Sequence, residues 1–256
     1  RPGAATAGRP GWCRVEVVTG TEFVRSVMGQ EGGGRGRSGA AYKRGPLVEQ
    51  KEWEGAGNEV LGRRVVAGAW LAANVGRFIL VSSDKAVRPT SIMGATKRMA
   101  ELIIQDLQTR STTTKFAMVR FGNVLGSSGS VLPLFQKQID AGGPVTVTHD
   151  QITRFFMTIP EAVRLVLLAG AYARRGDVFV LDMGKPQKII DIAHRMINLA
   201  GRTVHDPETG KGDIAIAITG LRPGEKLFEE LLIDRDQMTG TSHPKILRAE
   251  ESMLSQ

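Results

Sequence analysis

The chain has 256 residues, 41% hydrophobic and 23% charged, enough apolar material for one large α/β domain or one domain with a small appendage. Its only cysteine, Cys13, excludes an internal disulfide and points to a reducing compartment. The net charge of +8 invites a polyanion-binding reading, but residues 1–44 hold eight basic against three acidic side chains. That segment therefore carries +5, the body is nearly balanced, and without a recognisable module or aromatic platform no nucleic-acid partner is expected.

Residues 1–38 are rich in Gly, Arg and Ala, with the run EGGGRGRSG at 31–39, and read as an irregular or disordered segment. One apolar patch, VEVV at 15–18, has strand-like composition but no periodic surroundings. The N-terminus lacks the apolar centre of a signal peptide, so a soluble chain is expected. From Gly39 onward strand and helix signals alternate. FILVS at 78–82 is a continuous apolar run, the pattern of a strand buried in a parallel sheet. Residues 93–109 are helical, with Met99, Leu102, Ile103 and Leu107 at three- and four-residue intervals. FAMVRF at 116–121 is the next strand, and helices follow at 131–141, 160–173 and 188–200. The most apolar of these, 162–173, is too short to span a membrane and carries Arg164. Further strands are expected at 177–182 and 213–219, and a short helix at 225–232. This alternation indicates an α/β fold with a doubly wound parallel sheet.

The densest polar cluster is Ser82-Ser83-Asp84-Lys85, eight residues before Met93-Gly94-Ala95-Thr96-Lys97. The first group sits at the carboxyl end of a predicted strand, where open α/β sheets bind ligands. Met93 and Lys97, four apart, share one face of the following helix, so strand end and helix face can converge.

The run VSSDKAVRPTSIMGATKRMAE (81–101) resembles the active-site segment of the UDP-N-acetylglucosamine 4,6-dehydratases and CapD-like polysaccharide biosynthesis proteins, within the extended short-chain dehydrogenases. Most short-chain dehydrogenases carry Tyr four residues before the Lys; here that position is Met93, as in the long, membrane-anchored members of the subgroup. VRFGNVLGSSGSVLPLF (119–135), TRFFMTIPEA (153–162), GDVFVLDMG (176–184) and GLRPGEKLFEELL (220–232) resemble family segments in the family's order.

The resemblance implies a Rossmann-like core with NAD as cofactor, and a UDP-sugar as substrate. It implies oxidation at C4, loss of water across C5 and C6, and return of the hydride to C6. Lys85 is then the base at C5, Asp84 the acid at C6, and Ser83 a donor to the C4 oxygen. Lys85 must be held neutral by desolvation or by a cationic neighbour such as Lys97. Lys97 would hold the nicotinamide ribose, with Ala40, Ala41, Ser82 and Phe121 also lining the cofactor. Met93 cannot relay the proton that Tyr normally accepts. Arg154 and Arg222 resemble diphosphate or ribose contacts, Glu225 an acceptor for ribose hydroxyls, and Asn123 an amide in the diphosphate-sugar region. No metal is expected. Residues 39–150 are then a partial dinucleotide-binding core, and 151–256 a small α/β substrate region interleaved with it. A cytoplasmic homo-oligomer is expected, with any membrane association supplied by a portion outside this chain.

The match thins toward the N-terminus. The family's Gly-rich turn is absent, and Gly32-Gly33-Gly34 reads as linker, so the doubly wound sheet looks incomplete, with one exposed edge. Glu59 stands where the family has Asn. A UDP-sugar epimerase and a non-catalytic nucleotide-sugar-binding fragment therefore stand beside the dehydratase as alternatives.

Overall fold

The structure, a computed structural model, describes residues 12–14, 35–38, 45–127, 129–231 and 238–251. The chain runs through β1 (Trp12–Arg14), β2 (Arg35–Ser38), α1 (Gly45–Gln50) and α2 (Glu52–Ala56). A π-helical turn (Gly57–Leu61) carries α2 into α3 (Gly62–Ala72), which is followed by β3 (Arg77–Val81) and a 3-10 turn (Asp84–Ala86). Next come α4 (Ile92–Thr109), β4 (Lys115–Arg120), β5 (Asn123–Val124), α5 (Val131–Asp140), β6 (Val145–Val147), β7 (Thr153–Arg154) and β8 (Phe156–Met157). The remainder is α6 (Ile159–Tyr172), β9 (Asp177–Leu181), β10 (Gln187–Lys188), α7 (Ile189–Leu199), β11 (Ile216–Ile218), β12 (Met238–Gly240) and β13 (Ile246–Ala249).

Two compact units result, the first taking the described residues up to Phe121, Arg164–Asp182 and those from Leu231 onward. Its sheet has the order β1-β2-β3-β4-β9-β13-β12, parallel from β1 to β9 and antiparallel at the last two strands. β4 is buried at every position after Lys115, as its continuous apolar run predicts for a central parallel strand. β3 alternates instead: Phe78 and Leu80 enter a core with Trp70, Phe116 and Met118, whose aromatic rings meet at 5.8 and 5.4 Å. Ile79 points the other way, against α6, where a Cβ on Gly170 would come within 3.1 Å of it; the missing side chain lets the helix sit close. The parallel α/β architecture with a Rossmann-like sheet is thus present.

The second unit comprises Gly122–Val163 and Met183–Glu230. α5 and α7 bury Phe135, Ile139, Ile189, Ala193 and Ile197 against Val145, Val147, Ile152 and Ile214. This partition differs from a boundary at 150: residues 122–150 pack in the second unit and 164–182 in the first.

Four expectations need correction. The segment 1–38 is not wholly irregular, because Trp12–Arg14 and Arg35–Ser38 form parallel strands. For the same reason the edge of β3 is not left open; β2 pairs with it from Arg35↔Arg77 to Ser38↔Leu80. Ladder pairing uses backbone groups, so an RGRS segment with no apolar periodicity can serve. The VEVV patch at 15–18, Gly32-Gly33-Gly34, Ala40 and Ala41 lie outside the described residues. The helix expected at 225–232 is absent from its described part, 225–231. There Leu227 O accepts from Thr153 N–H at 3.2 Å and Phe228 bridges to Thr153, so the backbone is satisfied across the chain instead of within a helical turn. The strand expected at 213–219 is confined to β11, which pairs with β6 in the second unit.

Candidate active site

Beyond Val81 the chain stays attached to the end of β4: Ser82 N–H donates to Val119 O at 2.8 Å and Asp84 N–H to Phe121 O at 3.2 Å. Ser83 caps the 3-10 turn, its Oγ accepting from Lys85 N–H at 3.3 Å. The same hydroxyl donates to Asp84 Oδ1 at 2.8 Å, and Lys85 Nζ donates to that oxygen at 3.0 Å. Asp84 is fully buried, while the Lys85 side chain keeps 25% exposure. Asp84 Oδ2 has no hydrogen-bond partner among the described residues. A buried carboxyl oxygen left over costs about 1–3 kcal/mol unless a group met in function satisfies it.

α4 starts directly above this turn. Ser91 caps it, Oγ accepting from Gly94 N–H at 3.1 Å, and Met93 N–H donates to Glu49 Oε1 at 3.2 Å. A Cβ on Gly94 would lie 2.4 Å from Lys85 O, so glycine is what lets the first turn of the helix rest on the Asp84–Lys85 turn. The two sequence clusters are therefore brought together. One helical turn further on, Lys97 Nζ lies 2.8 Å from Glu59 Oε2, on the π-helical turn, and Arg63 Nη2 donates to the same oxygen at 3.2 Å. Glu59 and Arg63 are buried; burial pulls the Arg63 guanidinium below its usual range, and the Glu59 charge offsets part of that.

Ser82, expected beside the cofactor, directs its Oγ into the interior, donating to Glu101 Oε1 at 2.6 Å. Phe121 contributes its carbonyl to Asp84. In the second unit, Asn123 N–H donates to Phe155 O at 3.0 Å where β5 pairs with β8. Arg154 is buried: it donates to Thr153 O at 2.7 Å, to Leu227 O at 3.3 Å and to Glu225 Oε1 at 3.3 Å, with Glu229 Oε1 at 3.7 Å. Glu225 also accepts from Thr148 Oγ1 at 3.3 Å and, through Oε2, from Arg222 N–H at 3.1 Å. Arg154 thus organises the turn that presents Arg222, whose own side chain is exposed. No group of three or more His, Cys, Asp or Glu among the described residues could hold a metal, and no described helix is long and apolar enough to cross a membrane.

Sequence reasoning missed Glu49, Arg63, Glu101, Arg120 and Glu251. The i, i+3 spacing of Arg98 and Glu101 and the i, i+4 spacing of Glu59 and Arg63 were the local signals.

A family model for polysaccharide biosynthesis proteins matches residues 17–251. The chain is 52% identical to the capsular polysaccharide biosynthesis protein CapD of Staphylococcus aureus, over 82% of this chain and 34% of CapD. It is 35% identical to a UDP-glucose 4-epimerase of Rickettsia canadensis, over 77% of this chain and 55% of that protein. The chain thus spans about a third of one relative and half of the other. Among solved structures, Pen from Bacillus thuringiensis superposes with a TM-score of 0.79 at 32% identity, covering 90% of this chain and 68% of Pen. DesIV of Streptomyces venezuelae, a dTDP-glucose 4,6-dehydratase solved with NAD bound, shares the fold at a TM-score of 0.70 and 16% identity, covering 82% and 67%.

Proposed function

The chain belongs to the polysaccharide biosynthesis protein family, and from that premise we propose that it is the catalytic part of an NAD-dependent nucleotide-sugar 4,6-dehydratase acting on a UDP-N-acetylhexosamine. The observation that carries the reading is the Asp84–Lys85 pair: an acid and an amine bonded at 3.0 Å, with one buried carboxyl oxygen left for a ligand.

The residues at the carboxyl ends of β3 and β4 fit the nicotinamide half of the dinucleotide. Lys97 is an ammonium donor held on the helix face beside the reacting pair, and Gly94 keeps the approach narrow. The bound dinucleotide supplies reversible storage of the C4 hydride, so the net reaction is loss of water. The protein's part is proton transfer. Lys85 in its neutral form takes the proton from C5, which the C4 ketone has made acidic. Asp84, protonated at Oδ2, gives its proton to the departing C6 hydroxyl, while Ser83 and Lys85 hold Oδ1. Once water has left, Lys85 is an ammonium and Asp84 a carboxylate; Lys85 returns its proton to C5 as the hydride reaches C6, and the proton released from the C4 hydroxyl on oxidation, which Met93 cannot relay, is the one that restores Asp84 through solvent. Arg222 and Glu225 serve the nucleotide end, with Arg154 holding Glu225 in place. The cytoplasmic location and self-association expected from the sequence go with this reading.

The relative named a UDP-glucose 4-epimerase favours a second reading, stereochemical inversion at C4. Inversion needs no acid for a leaving hydroxyl, and Asp84 would then have no task. Incubation with UDP-N-acetylglucosamine and NAD⁺, followed by NMR of the product, separates them. The dehydratase reading expects a 4-keto-6-deoxy sugar, lost in Asp84→Asn and Lys85→Met. An unreduced stereoisomer would establish the epimerase, and UDP binding without any product would leave a nucleotide-sugar-binding fragment.

A further inference from the structure

Directly behind the reacting pair lies a closed set of charges that the proposed chemistry does not use. Arg120, the last residue of β4, is fully buried, as is Glu101 on α4. Glu101 Oε1 accepts from Ser82 Oγ at 2.6 Å and Arg120 Nε at 2.7 Å; Oε2 accepts from Arg120 Nη2 at 2.6 Å and Arg98 Nη1 at 2.8 Å. The other edge of the Arg120 guanidinium is taken by Glu251: Nη1 donates to Oε1, and Nη2 to Oε2 at 3.0 Å. Arg98 Nη1 reaches that same Oε2 at 2.9 Å. Two guanidinium groups and two carboxylates thus cancel, and every oxygen of both carboxylates is engaged.

Glu251 is not needed to hold its own strand. β13, which ends at Ala249, already pairs with β9 from Ile246↔Leu181 to Ala249↔Val178, and Arg248 Nε lies 2.8 Å from Asp177 Oδ1. What Glu251 closes is the arginine at the tip of β4. The next residue, Phe121, provides the carbonyl that holds Asp84 N–H, and Glu101, which shares Arg120 with Glu251, holds Ser82. Without Glu251, Glu101 alone would neutralise two guanidiniums, and Arg120 would be drawn away from the place that fixes both anchors.

We propose that Glu251 is a positioning residue, a latch from the C-terminal segment that locks Arg120 and through it fixes the Ser82–Lys85 segment in its reactive conformation. Its effect on turnover rests on the dehydratase reading; its effect on the segment's motion does not.

The test compares Glu251→Gln, Glu251→Asp and Arg248→Gln in the full chain. Arg248→Gln removes the neighbouring ion pair of the same strand and serves as the purely structural control. Amide hydrogen exchange across residues 81–87 is expected to accelerate about tenfold or more in E251Q relative to wild type. R248Q should leave those amides near the wild-type rate, and E251D should recover most of their protection. In turnover, E251Q should lower kcat about tenfold while the Kd for UDP stays within about twofold. Unchanged exchange at 81–87 in E251Q, or equal acceleration in R248Q, would overturn the latch. A wild-type chain that forms no keto sugar would count against the dehydratase reading alone, because the exchange comparison still decides the latch.

Discussion

Asp84 and Lys85 are adjacent in sequence, yet the fold treats them unequally, and the proposed chemistry rests on that difference. The carboxyl group is sealed off with one oxygen unused, while the amine stays 25% exposed. Lys85→Met keeps the bulk of the side chain and removes the amine that donates to Asp84 Oδ1. Turnover should fall about 10²–10⁴-fold, the range for a lost general base, with UDP affinity unchanged by calorimetry. Arg222 should behave oppositely. Its side chain is exposed and its backbone is fixed by Glu225, so Arg222→Ala should raise KM about tenfold or more at constant kcat and constant melting temperature. These residues were legible because a strand end followed by Ser-Asp-Lys, and a Pro-Gly-Glu turn, announce themselves within a few positions. The partners of Arg120 were not, since Glu251 stands 131 residues away and nothing in a linear chain states that distance has closed.

At the level of elements, the π-helical turn and the start of α4 explain how two helices reach the Asp84–Lys85 pair. The turn aims buried Glu59 at Lys97, so the residue that departs from the family's Asn forms an ion pair with the lysine it faces. Gly94 has the stricter requirement. Its added Cβ would strike Lys85 O at 2.4 Å and Pro89 Cβ at 3.0 Å, and a backbone carbonyl cannot swing aside as a flexible side chain does. Gly94→Ala should therefore cost about 1–3 kcal/mol in urea unfolding, the usual penalty of overpacking. Its loss of kcat should exceed that of Gly68→Ala, whose Cβ meets open space on α3. Equal kcat in the two variants would show that α4 does not need to rest on the turn. Helices 92–109, 131–140 and 189–199 were readable because their apolar spacing is intrinsic to the sequence. β2 was not, because its RGRS sequence has no apolar periodicity while its backbone pairs with β3, and the 225–231 stretch was misread because its LFEE pattern resembles a helix while the Leu227 carbonyl serves both Thr153 and Arg154.

At the scale of the whole molecule, the first unit stakes part of its stability on charges it has removed from water. Burial pushes the Glu251 carboxyl up, but the hydrogen bonds and charges of Arg120 and Arg98 outweigh this and hold it below its ordinary value of 4.5. Burial likewise disfavours the Arg120 guanidinium, and Glu101 and Glu251 more than compensate. Both arginines facing Glu251 remain cationic across the acid range, so in their contacts with Glu251 it is the carboxyl whose charge changes. A carboxyl whose folded pKa is depressed releases its proton more readily in the native state than in the unfolded chain. Its stabilisation is therefore complete above about pH 4.5 and is lost as pH falls through the folded value. Asp206 and Asp213, both exposed and in the second unit, are also held low, by bonds to Thr209 and Thr203 respectively. Thermal unfolding of wild type and E251Q at pH 7 and at pH 4 isolates the latch from this background. Wild type should be the more stable at pH 7, and its advantage should shrink at pH 4; an advantage that stayed constant would mean that Glu251 does not titrate against the arginines at all.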